Sequence, residues 1–309
     1  MKKLKSFVLL LCFSFLLCGC TKQEKVDPIN QNTPLLFEVT KNGTENKLYL
    51  FGSIHAAEES LYPLPNYVMD AYKKSKVLAV EFDLVEYMED LPKQMSDLTR
   101  FVNPENKKIS DYISAEIYEE SVQILTNAGL YSFVLDSYSP IMWYTLLENA
   151  AIEDVQLETL YGVDQYFLQL AKEDEKEILE LESADYQYAV LSSFDYEMQA
   201  YLLEQGVSEY EKSKQNLLKL YELYKKGNKE ELEEIVFSED DRSNSYMEEY
   251  TNKLVTVRNQ NMAASLEKSF EKGQNIFCTI GLAHIIGEGG ILDLLSQNGY
   301  VVTIVNGTT

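Results

Sequence analysis

Leu48-Tyr49-Leu50-Phe51-Gly52-Ser53-Ile54-His55 decides how this chain is read. An apolar run ends at a glycine, and a histidine follows three places later. Near the other end of the chain, Ile276-Phe277-Cys278-Thr279-Ile280-Gly281-Leu282-Ala283-His284 repeats the design. The chain has 2 histidines and 14 glycines in 309 residues, so a glycine three places before both is not expected by chance. Short apolar runs closed by glycine read as buried strands. Each histidine then stands just past a strand end, and two equivalent strand-loop-helix units are expected near the two ends of one sheet. Each glycine would let the chain turn sharply and approach its neighbours closely. A helix that follows can aim its N-terminal amides at the site.

Outward from that stretch, 35–40 and 47–51 flank Lys41-Asn42-Gly43-Thr44-Glu45-Asn46, and the Asn-Gly pair predicts a β-hairpin. Pro63 and Pro65 open a helix over about 66–75, with Val68, Met69 and Tyr72 at helical spacing. The next strand, 76–83, contains the continuous apolar run Val77-Leu78-Ala79-Val80, as in a strand covered on both faces, and ends in Glu81-Phe82-Asp83. Strand, helix and strand in succession favour a parallel sheet. Helices are predicted at about 88–100, 113–128, 139–149 and 160–172, then a strand at 177–182. Long helices fill 184–272, one ending near Gly227 and one running from 244 to 272. A strand at 275–280, a short helix at 291–296 and a strand at 300–305 close the chain. The expected fold is α/β, leaning to α+β. It is a single domain over 35–309 with a central, mostly parallel sheet and a β-hairpin edge. Large helical insertions at about 85–158 and 184–272 flank and cap that sheet.

The first residues read as an address. Lys2, Lys3 and Lys5 precede the apolar run 7–17, far short of the roughly 20 residues a membrane span needs. Leu17-Cys18-Gly19-Cys20 resembles a bacterial lipobox, so 1–19 would be a signal peptide, Cys20 the lipidated first residue, and 20–34 a flexible tether. The expected location is the extracytoplasmic face of a bacterial cell membrane. Cys12 and Cys18 would leave with the signal. Cys278, inside an apolar strand, is then left without a disulfide partner and reads as an inert core thiol. The net charge of −23 becomes more negative once the three leading lysines are removed. Such a surface repels nucleic acid and anionic headgroups, so no nucleic-acid partner is expected and attachment falls to the acyl chains.

In open α/β sheets, sites collect beyond the carboxyl ends of the strands. Here those ends carry His55, Glu81, Glu180 or Glu182, and His284. Two imidazoles and a carboxylate make a three-ligand set for Mn²⁺, Co²⁺ or Zn²⁺, with a position left for an activated water. Glycine followed by histidine also describes a hydrogen-bonded core histidine; the pairing of both histidines favours a shared role. Glu81 follows four apolar residues and needs a partner, which can be a metal, a cation or the amides of a helix start. Asp83 shares its face but is expected further out and solvated. Arg258 is one of three arginines. Its fork could hold a substrate carboxylate or a developing oxyanion, the alternative being a surface ion pair. Gly287-Glu288-Gly289-Gly290 lacks the Lys-Ser/Thr of a P-loop and reads as a loop before a helix. Ser53 and Ser183 lack a nucleophile-elbow context, so no serine hydrolase is expected.

Taken in order, these segments resemble the TraB/GumN family, which has Tiki-type membrane metalloproteases among its animal relatives. The resemblance rests on Tyr49–His55, Tyr62-Pro63-Leu64-Pro65, Leu78-Ala79-Val80-Glu81, Tyr161-Gly162-Val163-Asp164 and Leu179-Glu180-Leu181-Glu182. It continues in Arg258-Asn259 with Met262-Ala263, and in Gly281-Leu282-Ala283-His284 with the glycines that follow. It implies one site formed by His55, His284, Glu81 and Arg258, in which the histidines would be metal ligands, Glu81 either the third ligand or the general base on the metal-bound water, and Arg258 catalytic through an oxyanion or a substrate carboxylate. Gly52, Gly281, Asp164, Glu180, Glu182 and Asn259 would support that site or bind substrate. It also implies metal-dependent peptidase activity, and in some bacterial relatives a role in limiting a peptide pheromone. Tiki-type proteins are anchored by a membrane helix, whereas this chain carries a lipobox-like signal. The expected function is a surface-anchored, metal-dependent hydrolase acting on peptide or protein substrates. The alternatives are a peptide-binding lipoprotein without turnover and metal-independent acid/base hydrolysis by Glu81 and a histidine.

Overall fold

The computed structural model describes residues 32–237 and 244–305. The expected signal peptide, Cys20 and most of the expected tether lie outside the described residues.

Six strands form one sheet: β1 (Leu36–Thr40), β2 (Leu48–Ser53), β3 (Val77–Val80), β4 (Glu177–Glu180), β5 (Ile276–Gly281) and β6 (Val301–Ile304), in the order β4-β3-β5-β2-β1-β6. The β2–β5, β5–β3 and β3–β4 pairs are parallel, and only β1 runs against its neighbours. The predicted hairpin forms, pairing Leu36 with Phe51 and Val39 with Leu48. It sits one strand in from the edge, because β6 adds outside β1. The expected α/β architecture therefore holds, with a mostly parallel sheet flanked by helices.

Strand β5 inserts between β2 and β3, aligning Gly281 with Ser53 and Cys278 with Ala79. The two glycine–histidine motifs are thus neighbours at the centre of the sheet, not units at its two ends. Composition explains the placement. Residues Ile276 to Ile280 are all buried and suit a strand covered on both faces. In contrast, β4 carries exposed Glu177 and Glu180, as edge strands do.

The helices are α1 (Asn66–Lys74), α2 (Leu84–Glu89), α3 (Leu91–Leu98), α4 (Ala115–Asn127), α5 (Pro140–Asp154) and α6 (Val163–Glu173). They continue with α7 (Ala184–Leu191), α8 (Tyr196–Ser208), α9 (Tyr210–Lys226), α10 (Lys229–Val236), α11 (Ser245–Thr251), α12 (Val257–Phe270), α13 (Leu282–Ile285) and α14 (Ile291–Gln297). The helix expected at 88–100 is broken, because Asp90 accepts the Lys93 N–H and caps a new start with Pro92 in its first turn. The helix expected from 244 to 272 is continuous through a π-helical turn at Asn252–Thr256, directly before Arg258. Such turns widen a helix locally and re-aim the residues that follow. No helix among the described residues is long and apolar enough to cross a membrane.

Two boundaries differ from expectation. Strand β3 ends at Val80 because Asp83 caps α2, accepting the Glu86 N–H at 2.9 Å. Asp83 also pairs with Lys172 at 3.2 Å and is 6% exposed, so it is a buried cap and not a solvated group. Thr33 and Pro34, expected in the tether, are tied down. The Thr33 N–H donates to Lys225 O at 2.7 Å, and the Tyr67 hydroxyl donates to Pro34 O at 2.6 Å. Gly227, with φ +64, ends α9 where a Cβ would collide with the Thr33 carbonyl.

Beneath the sheet, Phe51, Phe167, Phe277 and Tyr72 form one aromatic cluster, with Phe167 and Phe277 centroids 4.7 Å apart. Above the strand ends the glycines act by close approach. Neither Gly52 nor Gly281 has positive φ, so the sharp-turn reading does not hold. A Cβ on Gly52 would stand 2.5 Å from Leu282 Cδ1 and 3.3 Å from Leu282 Cα. Gly52→Ala is therefore expected to lower stability by about 1–3 kcal/mol in urea denaturation, by pushing α13 off the end of β2.

Candidate functional site

His55 follows β2, Glu81 follows β3, and His284 sits in the short helix α13 that follows β5. Because β2, β5 and β3 are adjacent, the three side chains surround one point. A methyl group on Gly281 would lie 3.3 Å from Glu81 Oε1, 3.5 Å from His284 Cδ2 and 3.9 Å from His55 Nε2.

Each imidazole is oriented by its Nδ1. His55 Nδ1 lies 2.7 Å from Asp164 Oδ2, in the first turn of α6. That helix start is locked to the β2 extension: the Val163 N–H donates to Ile54 O at 3.0 Å, and a Cβ on Gly162 would stand 2.5 Å from His55 O. His284 Nδ1 lies 2.7 Å from Asn259 Oδ1. The Asn259 amide nitrogen donates to Gly289 O at 3.0 Å, which fixes its oxygen toward His284. Nδ1 of His284 therefore carries the proton, and its Nε2 keeps a free lone pair.

The two rings have opposite electrostatic settings. Burial disfavours a charge on His55, but the Asp164 carboxylate and hydrogen bond outweigh it and raise the pKa to about 9. For His284, burial and then the Arg258 charge lower the pKa to about 3, against the pull of Glu81. In the metal-free protein at neutral pH, His55 is thus an imidazolium paired with Asp164 and His284 is neutral.

Glu81 is held from three sides. Its Oε1 accepts the Gly281 N–H at 2.9 Å; its Oε2 accepts Arg258 Nη2 at 2.6 Å and Gln187 Nε2 at 2.8 Å. Burial would raise its pKa, but Arg258 and then the histidines hold it well below the usual carboxylate range. Arg258 is 2% exposed. Its Nε donates to Glu182 Oε2 at 2.9 Å, its Nη2 also lies 2.8 Å from that oxygen, and its Nη1 donates to Leu254 O at 3.2 Å. The guanidinium is therefore not a surface ion pair. It is clamped between two of the protein's own carboxylates and fixes Glu81. Glu182 completes the clamp, whereas Glu180 lies apart, exposed, accepting the Asp83 N–H at 2.7 Å.

Gln187 escaped the sequence reading. It lies on α7, one turn past the Ser183 cap, and bridges Glu81 and Glu182. Nothing in an isolated glutamine on a helix marks that role. The remaining candidates fall elsewhere. Cys278 is fully buried, and burial raises its thiol pKa, so it stays protonated. Amides of the glycine run serve carboxylates of the protein: Gly287 N–H donates to Glu233 and Gly289 N–H to Asp293.

Above this floor lies a cavity of about 140 Å³. Its floor is polar, and its walls are apolar, with Ile152 and Leu157 from one insertion and Leu191, Leu217, Leu220 and Val236 from the other. Ser53, 2% exposed, also lines it, and its hydroxyl has no hydrogen-bond partner among the described residues.

The donor set is suited in kind to a divalent cation. Both Nδ1 atoms are tied to oxygens, as in metal-ligating histidines, and His284 Nε2 and His55 Nε2 both lie on the Glu81 side of the strand ends. Arg258 carries one positive charge against the two carboxylates it pairs with, which leaves negative charge to balance. Among the described residues no three such donors stand at ion-binding spacing. His284 Nε2 and Glu81 Oε1 are 4.0 Å apart. Two ligands of one tetrahedral ion with bonds near 2.1 Å keep about 3.4 Å, so this pair would have to contract on binding.

Two measurements test these settings. His55 has a raised pKa, so its contribution to stability is complete below pH 6.5 and is lost as pH rises toward about 9. His284 has a lowered pKa, so its contribution is complete above pH 6.5 and is lost as pH falls toward about 3. Asp164→Asn should remove the alkaline decline from a stability–pH profile of the metal-free protein and bring the His55 pKa down in an NMR titration. Arg258→Ala strands Glu81 and Glu182, and should cost about 3–5 kcal/mol in urea unfolding.

The uncharacterised protein YbaP of Escherichia coli K12 and that of Shigella flexneri are each 30% identical to this chain over 164 residues, 52% of this chain. The match spans 58% of the length of each relative. No solved structure matches. The sequence model of the TraB/PrgY/gumN family matches residues 35–304, from the start of the sheet to its last strand. The chain belongs to the TraB/PrgY/gumN family.

Proposed function

We infer that the protein is a metal-dependent hydrolase acting on peptide bonds, anchored outside a bacterial cell membrane through lipidated Cys20. One observation carries the reading. Two histidines with their Nδ1 atoms tied to oxygens and one carboxylate converge at the strand ends, under a cavity with apolar walls, and His55 would release its Nε2 proton on binding an ion. His55, His284 and Glu81 would hold the ion, Mn²⁺, Co²⁺ or Zn²⁺. When bound, such an ion polarises a carbonyl and lowers the pKa of water toward neutrality.

The surrounding residues divide the remaining work. Asp164 and Asn259 fix the two rings so that each presents Nε2. Arg258, Gln187 and the Gly281 N–H keep Glu81 ionised and still. A carboxylate held so far below its usual range is a weak base, which favours a ligand role for Glu81 over that of general base. Apolar walls exclude water and receive apolar side chains of a peptide.

Metal analysis of purified protein after dialysis with Mn²⁺, Co²⁺ or Zn²⁺ tests the reading. The wild type should retain one ion per chain, and His55→Ala and His284→Ala should retain none. Incubation with a peptide library should generate new termini in mass spectra. Intact peptides retained without new termini would instead make the protein a binder, and a wild type without metal would end the metal reading.

A further inference from the structure

One polar group on the cavity wall has unfinished bonding. Gln187 is 6% exposed and lines the cavity. Its amide nitrogen donates to two carboxylates, Glu81 Oε2 at 2.8 Å and Glu182 Oε2 at 3.1 Å. That pairing fixes the orientation of the amide, because the flipped group would set its oxygen against two anions. Its Oε1 therefore points away from both carboxylates. Among the described residues this oxygen accepts no hydrogen bond, and it is not one of the unpaired atoms sealed inside the protein. Gln187 itself lines the cavity, and this oxygen is the polar atom of its side chain left without a partner among the described residues.

Besides this oxygen, the lining hydroxyl without a partner is that of Ser53, which can rotate to donate as well as accept. Glu81 and Glu182 already receive Arg258 and Gln187, and Asp164 receives His55. The walls are apolar. A ligand that fills this space without a donor leaves Oε1 desolvated and unpaired, a cost that discriminates more sharply than an added contact would.

We propose that Gln187 Oε1 receives an N–H of the substrate, so that the cavity takes secondary amides bearing an apolar group and rejects esters and tertiary amides, which have no N–H. Within a peptide, proline at the gripped position would be rejected, since it has no N–H. Gln187 thereby joins two roles, holding Glu81 through its nitrogen and reading the substrate through its oxygen. The inference deepens the peptide reading above and rests on the cavity being where the substrate sits.

Probes with a single N–H test it without turnover or metal. The N-methylamide, the N,N-dimethylamide and the methyl ester of isocaproic acid would be titrated into metal-free protein and followed by NMR. The N-methylamide should bind roughly tenfold more tightly than the other two, the difference one satisfied acceptor makes. Gln187→Leu and Gln187→Met should abolish that preference. Equal binding of the three probes by the wild type, no binding of any, or a preference kept in a folded variant would overturn the proposal. The wild-type series decides even where a variant does not fold. Metal analysis fails or succeeds independently of these affinities, so failure here and failure of the metal reading are separable.

Discussion

The structure depends on one buried guanidinium. Arg258 lies on α12, Glu81 past the end of β3 and Glu182 past the end of β4, and their pairing ties three elements together where the sheet opens. Removing such charges from water is costly, and the attraction between them offsets the cost only when further donors complete the geometry. Gln187 and the Gly281 N–H do so. Burial, and then the same charge that steadies Glu81, keep His284 neutral, so the clamp contributes to the protonation of the site as well as to its shape.

Topology does the rest. Placing β5 between β2 and β3 sets the first and last thirds of the chain side by side, and the two glycine–histidine segments meet at paired residues Ser53 and Gly281. A ligand crevice beyond the carboxyl ends of central parallel strands is the expected consequence. The helical insertions contribute the apolar walls and restrict entry. Lines of contact from that cover reach the strand ends themselves, for the Tyr224 hydroxyl on α9 donates to Gly52 O at 2.8 Å.

Much of this was legible in the sequence. Apolar runs closed by glycine marked β2 and β5, Asn42-Gly43 marked the hairpin, and Glu81 stood out as a carboxylate after a buried run. The family resemblance covered the segments that the sequence model of the family matches. What escaped depends on long-range geometry. Periodicity does not report strand order, so the adjacency of β2 and β5 could not be read. Arg258 was singled out, but its partners stand 76 and 177 residues away in sequence, so its pairing with Glu182 and Glu81 could not be read. Asp83 was misjudged because its capping role appears only once a helix starts at Leu84. Gln187 gave no signal at all, since its significance comes from two glutamates brought to it by the sheet.

The central claim is that His55 and His284 present their Nε2 atoms to one shared ion. The most direct test is side-chain ¹⁵N NMR of histidine-labelled protein during titration with Zn²⁺. The account predicts that both Nε2 resonances change together and are complete at one equivalent, while both Nδ1 atoms keep their hydrogen bonds to Asp164 and Asn259. A response from only one ring, or separate responses at separate equivalents, would contradict it.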